Sequence, residues 1–184
     1  MTTAKVGTIA AAAACALAQP GGAQAADVPV YLRDIRPFSA MTLEQKVQEL
    51  ADREEIRQLI ATYAQRVNHN KGIADLFTED AVWTMRTPGG ELREIKGGEA
   101  IRASFSAFHA EVPSAPMIHN LVIAVDGDTA QAVDMNDLWS TMNGKRYHGW
   151  GNYEDSFRRV DGKWLFTARH MDFTSWHEVP AAGK

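Results

Sequence analysis

Three turn dipeptides in the C-terminal half constrain this chain most: Asp126-Gly127, Asn143-Gly144 and Asp161-Gly162. An Asp or Asn followed by Gly admits the positive φ angles of tight two-residue hairpins. Each pair lies between runs rich in alternating apolar residues, so the three divide the chain into predicted strands at 117–125, 129–141, 146–160 and 163–176. Three hairpins in succession make an antiparallel meander. Upstream the pattern is helical. Thr42-Leu-Glu-Gln45 is a capping box, and Leu43, Val47, Leu50, Ile56, Leu59, Ile60, Tyr63 and Val67 recur at helical spacing until Asn68-His-Asn-Lys-Gly72 stops the run. A short helix over 73–77, a strand over 81–86, a turn at Thr87-Pro-Gly-Gly90 and a hairpin partner over 92–95 come next. A helix over 99–109 and a loop over 112–116 lead into the meander. Helices first and strands later is the pattern of an α+β fold.

The first 26 residues read differently. Lys5 is their lone charge, an Ala-rich apolar stretch runs from Val6 to Leu17, Pro20-Gly-Gly breaks it, and Ala23-Gln-Ala25 offers a cleavage site. This is the layout of a secretory signal peptide, and the stretch is too short to span a bilayer. Cleavage predicts a periplasmic or secreted protein. It removes the only cysteine, Cys15, and with it disulfides and Cys-ligated metal. Ala-Ala-Ala before Cys15 is a poor lipobox, which leaves lipid anchoring there as a minor alternative. Residues 27–41 carry Pro29 and Pro37, which rule out a continuous helix and predict an extended arm. A domain over 42–178 and a tail over 179–184 make up the remainder.

At 184 residues, 45% hydrophobic and 23% charged, the chain can build one ordinary core. The formal net charge of −4, or −5 once Lys5 is lost, excludes the basic footprint of a nucleic-acid binder. No phosphate-binding glycine loop, serine nucleophile elbow or dinucleotide fingerprint occurs. His170 and Asp172 could both reach one ion, but no third ligand has a motif-like spacing, so neither a metal nor a cofactor is expected.

Strand alternation sorts the chemical candidates. On the last strand Trp164, Phe166, Ala168, His170 and Asp172 share a face, which the aromatics mark as buried. On the second long strand Val133, Met135, Asp137 and Trp139 share a face. Asp137 is then a carboxylate in an apolar row, which requires pairing or a raised pKa and suits a general acid or base. A bulge would reverse the alternation and leave Asp137 solvated. Gly149, Gly151, Tyr153 and Asp155 share a face, and the paired glycines suit a bend or a ligand close to the backbone.

The helix 50–64 with Tyr63, the stretch Asp75-Leu-Phe-Thr-Glu-Asp-Ala-Val-Trp83, the hairpin Asp126-Gly-Asp-Thr-Ala130 and the run Tyr153-x-Asp155…Val160-Asp-Gly-x-Trp164 carry a resemblance over roughly residues 43–176. The chain resembles the SnoaL-like branch of the nuclear-transport-factor-2-like superfamily, which includes scytalone dehydratase-, bile acid dehydratase- and polyketide cyclase-like members. The resemblance implies a cystatin-like α+β barrel, in which a curved mixed β-sheet forms a cone against N-terminal helices and encloses a small-molecule pocket. It also implies a homodimer using the outer sheet face. It assigns His119 the position of a catalytic histidine, and Tyr63 would polarise or protonate the leaving oxygen; with the strand row above, either Asp137 has become the acid/base partner of His119 or the chemistry has been lost. Asn68, Trp83, Tyr153, His170 and Asp172 would contact substrate. Asn68 departs from the pattern, because many members have an aspartate there, and asparagine cannot act as a carboxylate base. The expectation is a cofactor-independent lyase or isomerase acting on a hydrophobic small molecule; the alternative is a non-catalytic ligand-binding or assembly protein of the same fold.

Overall fold

The computed structural model describes residues 38–180. The expected leader over 1–26, all but the end of the expected arm over 27–41, and the last four residues lie outside them. Thr42 starts helix α1 (Leu43–Asn68) as its sequence dictates: the Thr42 hydroxyl accepts from the Gln45 N–H, and the Gln45 side chain accepts from the Thr42 N–H. A 3-10 turn at Ala74–Leu76 leads into β1 (Phe77–Arg86), which pairs with β2 (Leu92–Lys96). Helix α2 (Gly98–Glu111) then gives way to the meander β3 (Ser114–Asp126), β4 (Thr129–Met142), β5 (Lys145–Val160) and β6 (Lys163–Val179).

The six strands form one sheet in the order β2-β1-β6-β5-β4-β3, and only the β1–β6 pairing is parallel. The sheet is therefore mixed, and its concave side packs on α1. Ile56, Ile60, Tyr63 and Val67 of α1 meet Phe77, Ala81, Trp83, Ile123, Ala130, Ala132, Phe157, Trp164 and Phe166, with Ile101 of α2 closing the cluster. The α+β cone expected from the sequence is the observed fold.

All three hairpins form. Asn143 and Gly144 have φ of 51° and 75°, and Asp161 and Gly162 have φ of 49° and 77°, the double left-handed geometry that these residues tolerate best. The first turn lies one residue later than expected: Asp126 pairs with Thr129 across Gly127-Asp128.

Two kinds of irregularity decide which side chains face inward. In β6, Phe157 pairs with Phe166 but Ser156 pairs with Ala168, so Thr167 is an extra residue. In β3, the register shifts between His119 and Val122, and Asn120 takes a φ of 51°. Because side-chain direction alternates with period two, one extra residue exchanges the two faces for the rest of the strand. Trp164 and Phe166 point inward before the β6 bulge; Arg169 and Met171 are the buried residues after it. Ile118 packs on the core before the β3 bulge, and Leu121, Ile123 and Val125 do so after it.

Candidate active site

The pairing register lays out the concave face as a grid. One row across the sheet reads Ala132, Asp155, Arg169 and Trp83, from β4 through β5 and β6 to β1. The adjacent row reads Asp134, Tyr153, Met171 and Met85. Tyr63 descends on this grid from α1, its ring centroid 6.3 Å from that of Tyr153 and 6.2 Å from that of Phe105.

Arg169 is the centre of the arrangement and is fully buried. Its guanidinium carbon lies 3.7 Å from the Tyr153 ring centroid and 4.1 Å from that of Tyr63, so the planar cation is held between two aromatic faces. Its Nη1 is 3.4 Å from Asp155 Oδ2, and its Nη2 is 4.0 Å from Asp134 Oδ2. These are ion-pair distances without hydrogen-bond geometry. Asn136, also fully buried, donates from Nδ2 to the Met171 sulfur at 3.6 Å.

Among the described residues, every buried side-chain nitrogen or oxygen that lacks a hydrogen-bond partner belongs to Trp83, Asp134, Asn136, Asp155 or Arg169. Buried polar groups are nearly always satisfied, so a concentration of orphans at one place marks where a further polar partner fits. Both donors (Trp83 Nε1 and the Arg169 nitrogens) and acceptors (the two carboxyls and Asn136 Oδ1) are offered.

One cation also faces two acids. Burial raises the Asp134 pKa to about 6 against the pull of Arg169, and burial together with the charge of Asp134 raises Asp155 well above its usual value. Burial opposes the charge of Arg169, yet Asp155, the two tyrosines and Asp134 outweigh it and hold the guanidinium protonated. A single positive charge cannot neutralise two carboxylates in a dry interior, so near neutrality the pair retains a proton between them. Burial likewise lifts the Tyr63 and Tyr153 hydroxyls, which keeps both as proton-bearing donors. The interior thus joins a proton donor, a proton acceptor and a fixed cation.

The structure gathers three of the eight residues singled out from sequence at this point: Tyr63, Trp83 and Tyr153. The other five lie elsewhere. Asp137 is on the convex face, where its Oδ1 meets His148 Nε2 at 2.8 Å, Trp139 stacks on His148 at 4.5 Å, and His177 approaches edge-on. The apolar row Val133, Met135, Trp139 is the outer one, and the inner, buried row is Ala130, Ala132, Asp134, Asn136. His119 is exposed on the convex face beside Met135 rather than in the cone. The Thr167 bulge turns His170 and Asp172 outward: His170 Nδ1 contacts Thr84 Oγ1 at 2.6 Å, and Asp172 lies 4.0 Å from Arg86. Asn68 is exposed at the C-terminus of α1.

Arg169, Asp134, Asp155 and Asn136 were not anticipated. Asp155 was legible as the companion of Tyr153 on one strand face. Arg169 was not, since only the bulge brings it inside. The paired glycines of β5 face a bulge instead of a ligand. A Cβ at Gly151 would lie 2.0 Å from the Asp172 carbonyl oxygen, and one at Gly149 would lie 2.3 Å from the Trp176 ring. No group of three or more His, Cys, Asp or Glu side chains that could hold a metal ion occurs among the described residues.

Comparison with known proteins agrees with this architecture. A hexachlorocyclohexane dehydrochlorinase (LinA, type 2) superposes with a TM-score of 0.68 at 17% identity, over 74% of this chain and 95% of its own. A Mycobacterium tuberculosis protein of unknown function, Rv3472, is 25% identical over 73% of this chain and 77% of its own, with a TM-score of 0.62. A nuclear-transport-factor-2-like protein with a cystatin-like fold from Novosphingobium aromaticivorans is 25% identical over 72% of this chain and 88% of its own, with a TM-score of 0.61. No curated protein matches the chain in sequence. The profile of the SnoaL-like domain matches residues 48–170, and the chain belongs to that family.

Proposed function

We propose that the cone interior binds a small, largely apolar molecule and carries out cofactor-independent acid–base chemistry on it, as a lyase or isomerase. The observation that carries this reading is the set of orphaned donors and acceptors of Trp83, Asp134, Asn136, Asp155 and Arg169 inside one aromatic-lined cone. In an elimination, the ionised member of the Asp134/Asp155 pair takes a proton from carbon and a carbon–carbon double bond forms. The leaving group departs with a proton from Tyr63, Tyr153 or the protonated carboxyl, so the proton count of the site is unchanged. In an isomerisation, the same carboxyl returns its proton at the next carbon but one. Arg169 faces the negative charge that develops in either case. Positioned proton transfer of this kind contributes roughly 10²–10⁴-fold. The dehydrochlorinase neighbour is named for an elimination, which supports the reaction class by likeness of fold. His119 and Asp137, which face outward, are given no step.

A second reading, a ligand-binding protein without catalysis, is favoured by two observations. Tyr153 occupies the interior against Arg169, and residue 68 is an exposed asparagine. Incubation with a panel of steroid, terpenoid and aromatic compounds, followed by thermal shift and mass analysis, separates the readings. Conversion of a stabilising ligand by the wild type and its loss in Asp134→Asn supports the enzyme. A ligand bound unchanged by both supports the binder.

We also propose export, on the Ala-rich leader, and a homodimer through the convex face. Met117, Met135 and Trp150 are about 40% exposed on that face in neighbouring rows, an apolar patch of the kind that subunit interfaces cover. No helix among the described residues is long and apolar enough to cross a membrane.

A further inference from the structure

Asn136 is fully buried on the inner row of β4, and only half of its amide has a partner. Its Nδ2 lies 3.6 Å from the Met171 sulfur. A thioether carries no proton and can only accept, so the amide must turn its NH2 toward Met171. The carbonyl oxygen is thereby aimed away from Met171, and it accepts from nothing among the described residues. The other orphaned acceptors are the Asp134 and Asp155 carboxyls. A carboxyl can take up a proton and become a donor, but an amide oxygen cannot. Only a hydrogen-bond donor satisfies Asn136.

The surroundings identify the kind of donor. Asn136 pairs with Ile118 on one side and Gly151 on the other, and Gly151 pairs with Phe173. The next row, away from Asp134, holds Leu138 and Gly149. The Trp176 ring covers Gly149, stacked on Tyr147 at 5.7 Å and edge-on to Phe173 at 5.1 Å. Tyr147, Phe173 and Trp176 are half-buried and stand outside the core cluster, so they offer aromatic surface to a ligand. A neutral acceptor set among such surfaces suits a hydroxyl on a flat apolar body. A charged donor would lose its hydration there against an uncharged partner. Asp134 lies two residues away along β4, about 7 Å, which is the scale of a fused-ring body. We propose that Asn136 sets substrate specificity by accepting a hydrogen bond from a hydroxyl group on a flat, fused-ring substrate. The inference rests on the cone being the ligand site proposed above.

Calorimetric titration of the full chain with 2-naphthol, 2-methoxynaphthalene and 2-methylnaphthalene tests this. The three share a ring system, and only the first can donate a hydrogen bond. The wild type should bind 2-naphthol about ten-fold more tightly than either analogue, the worth of one hydrogen bond to a buried acceptor. Asn136→Leu keeps the size of the side chain and removes the acceptor. It should bind 2-methylnaphthalene at least as well as the wild type does and show no preference for 2-naphthol. Equal affinities in the wild type would overturn the proposal while leaving the cone as a ligand site, and would assign the Asn136 oxygen to a buried water. A preference that survives in Asn136→Leu would also overturn it, and would assign the hydroxyl to the carboxyls. Failure of all three to bind would overturn it together with the ligand-site reading. The wild-type comparison decides the matter even if Asn136→Leu does not fold.

Discussion

Asp155 and Arg169 are direct cross-strand partners on β5 and β6, and the Asp155 carboxylate lies 3.4 Å from the guanidinium with both side chains fully buried. Only the extra residue at Thr167 brings them to the same face. A buried ion pair is weak evidence for stability, because desolvation offsets most of the attraction. In the cone it stands beside a second acid and two tyrosines, the arrangement on which the proposed acid–base chemistry rests.

Arg169→Met should therefore destabilise the domain by about 3–5 kcal/mol, because it leaves two acids facing an apolar interior. Adding Asp134→Asn and Asp155→Asn to that variant should recover most of the loss, since no uncompensated charge remains. Urea unfolding of the single and triple variants checks both. A loss below about 1 kcal/mol for Arg169→Met would show that the cluster is solvated.

The pH dependence comes from the raised carboxyls. The folded pKa of Asp134, about 6, lies above its unfolded value of 3.8. A group raised on folding favours the folded state below the unfolded pKa, and that stability is lost as pH rises through the folded pKa. The stability of the wild type relative to Asp134→Asn should thus be greatest below pH 3.8 and decline as pH rises through about 6, at up to about 1.4 kcal/mol per unit between the two. Chemical denaturation at several pH values reads the difference directly. A difference that grows with pH would show that Asp134 is stabilised as the anion.

The parts of this molecule that were legible in the sequence are those governed by local chemistry. Thr42 and Gln45 cap a helix wherever they stand at this spacing, and Asn143-Gly144 and Asp161-Gly162 make hairpins because few other pairs accept two positive φ angles. Tyr63 and Tyr153 could be placed inside because they lie on stretches with uninterrupted periodicity. His170, Asp172 and Arg169 could not, because Thr167 has nothing in its own chemistry to announce a bulge. Asp137 lies outside for a different reason. The more apolar row of β4, Val133, Met135 and Trp139, faces outward, and the buried row is Ala130, Ala132, Asp134 and Asn136.

Gly151 tests the second irregularity of β6, between Trp150 and Gly151, where Gly151 pairs with Phe173. The nearest obstacle to a Cβ is the Asp172 backbone carbonyl, which cannot swing aside as a side chain can. Gly151→Ala should cost about 3 kcal/mol or more, at the upper end of overpacking effects. Its melting temperature should fall further than that of Gly149→Ala, whose Cβ would meet the Trp176 ring at 2.3 Å but a backbone oxygen, that of Ser175, only at 2.7 Å. Equal small losses would indicate that β6 can straighten.

The convex-face pair provides the sharpest contrast with the interior. Asp137 and His148 are partly exposed, and exposed ion pairs contribute about 0–1 kcal/mol. Asp137→Ala and His119→Ala should each change stability by less than about 1 kcal/mol. Neither should alter turnover more than two-fold in whatever reaction Asp134→Asn abolishes. Steady-state kinetics of the three variants on one converted substrate decides the matter. If Asp137→Ala or His119→Ala removed activity while Asp134→Asn retained it, the chemistry would belong to the outer face, and the interior cluster would be left with a structural role.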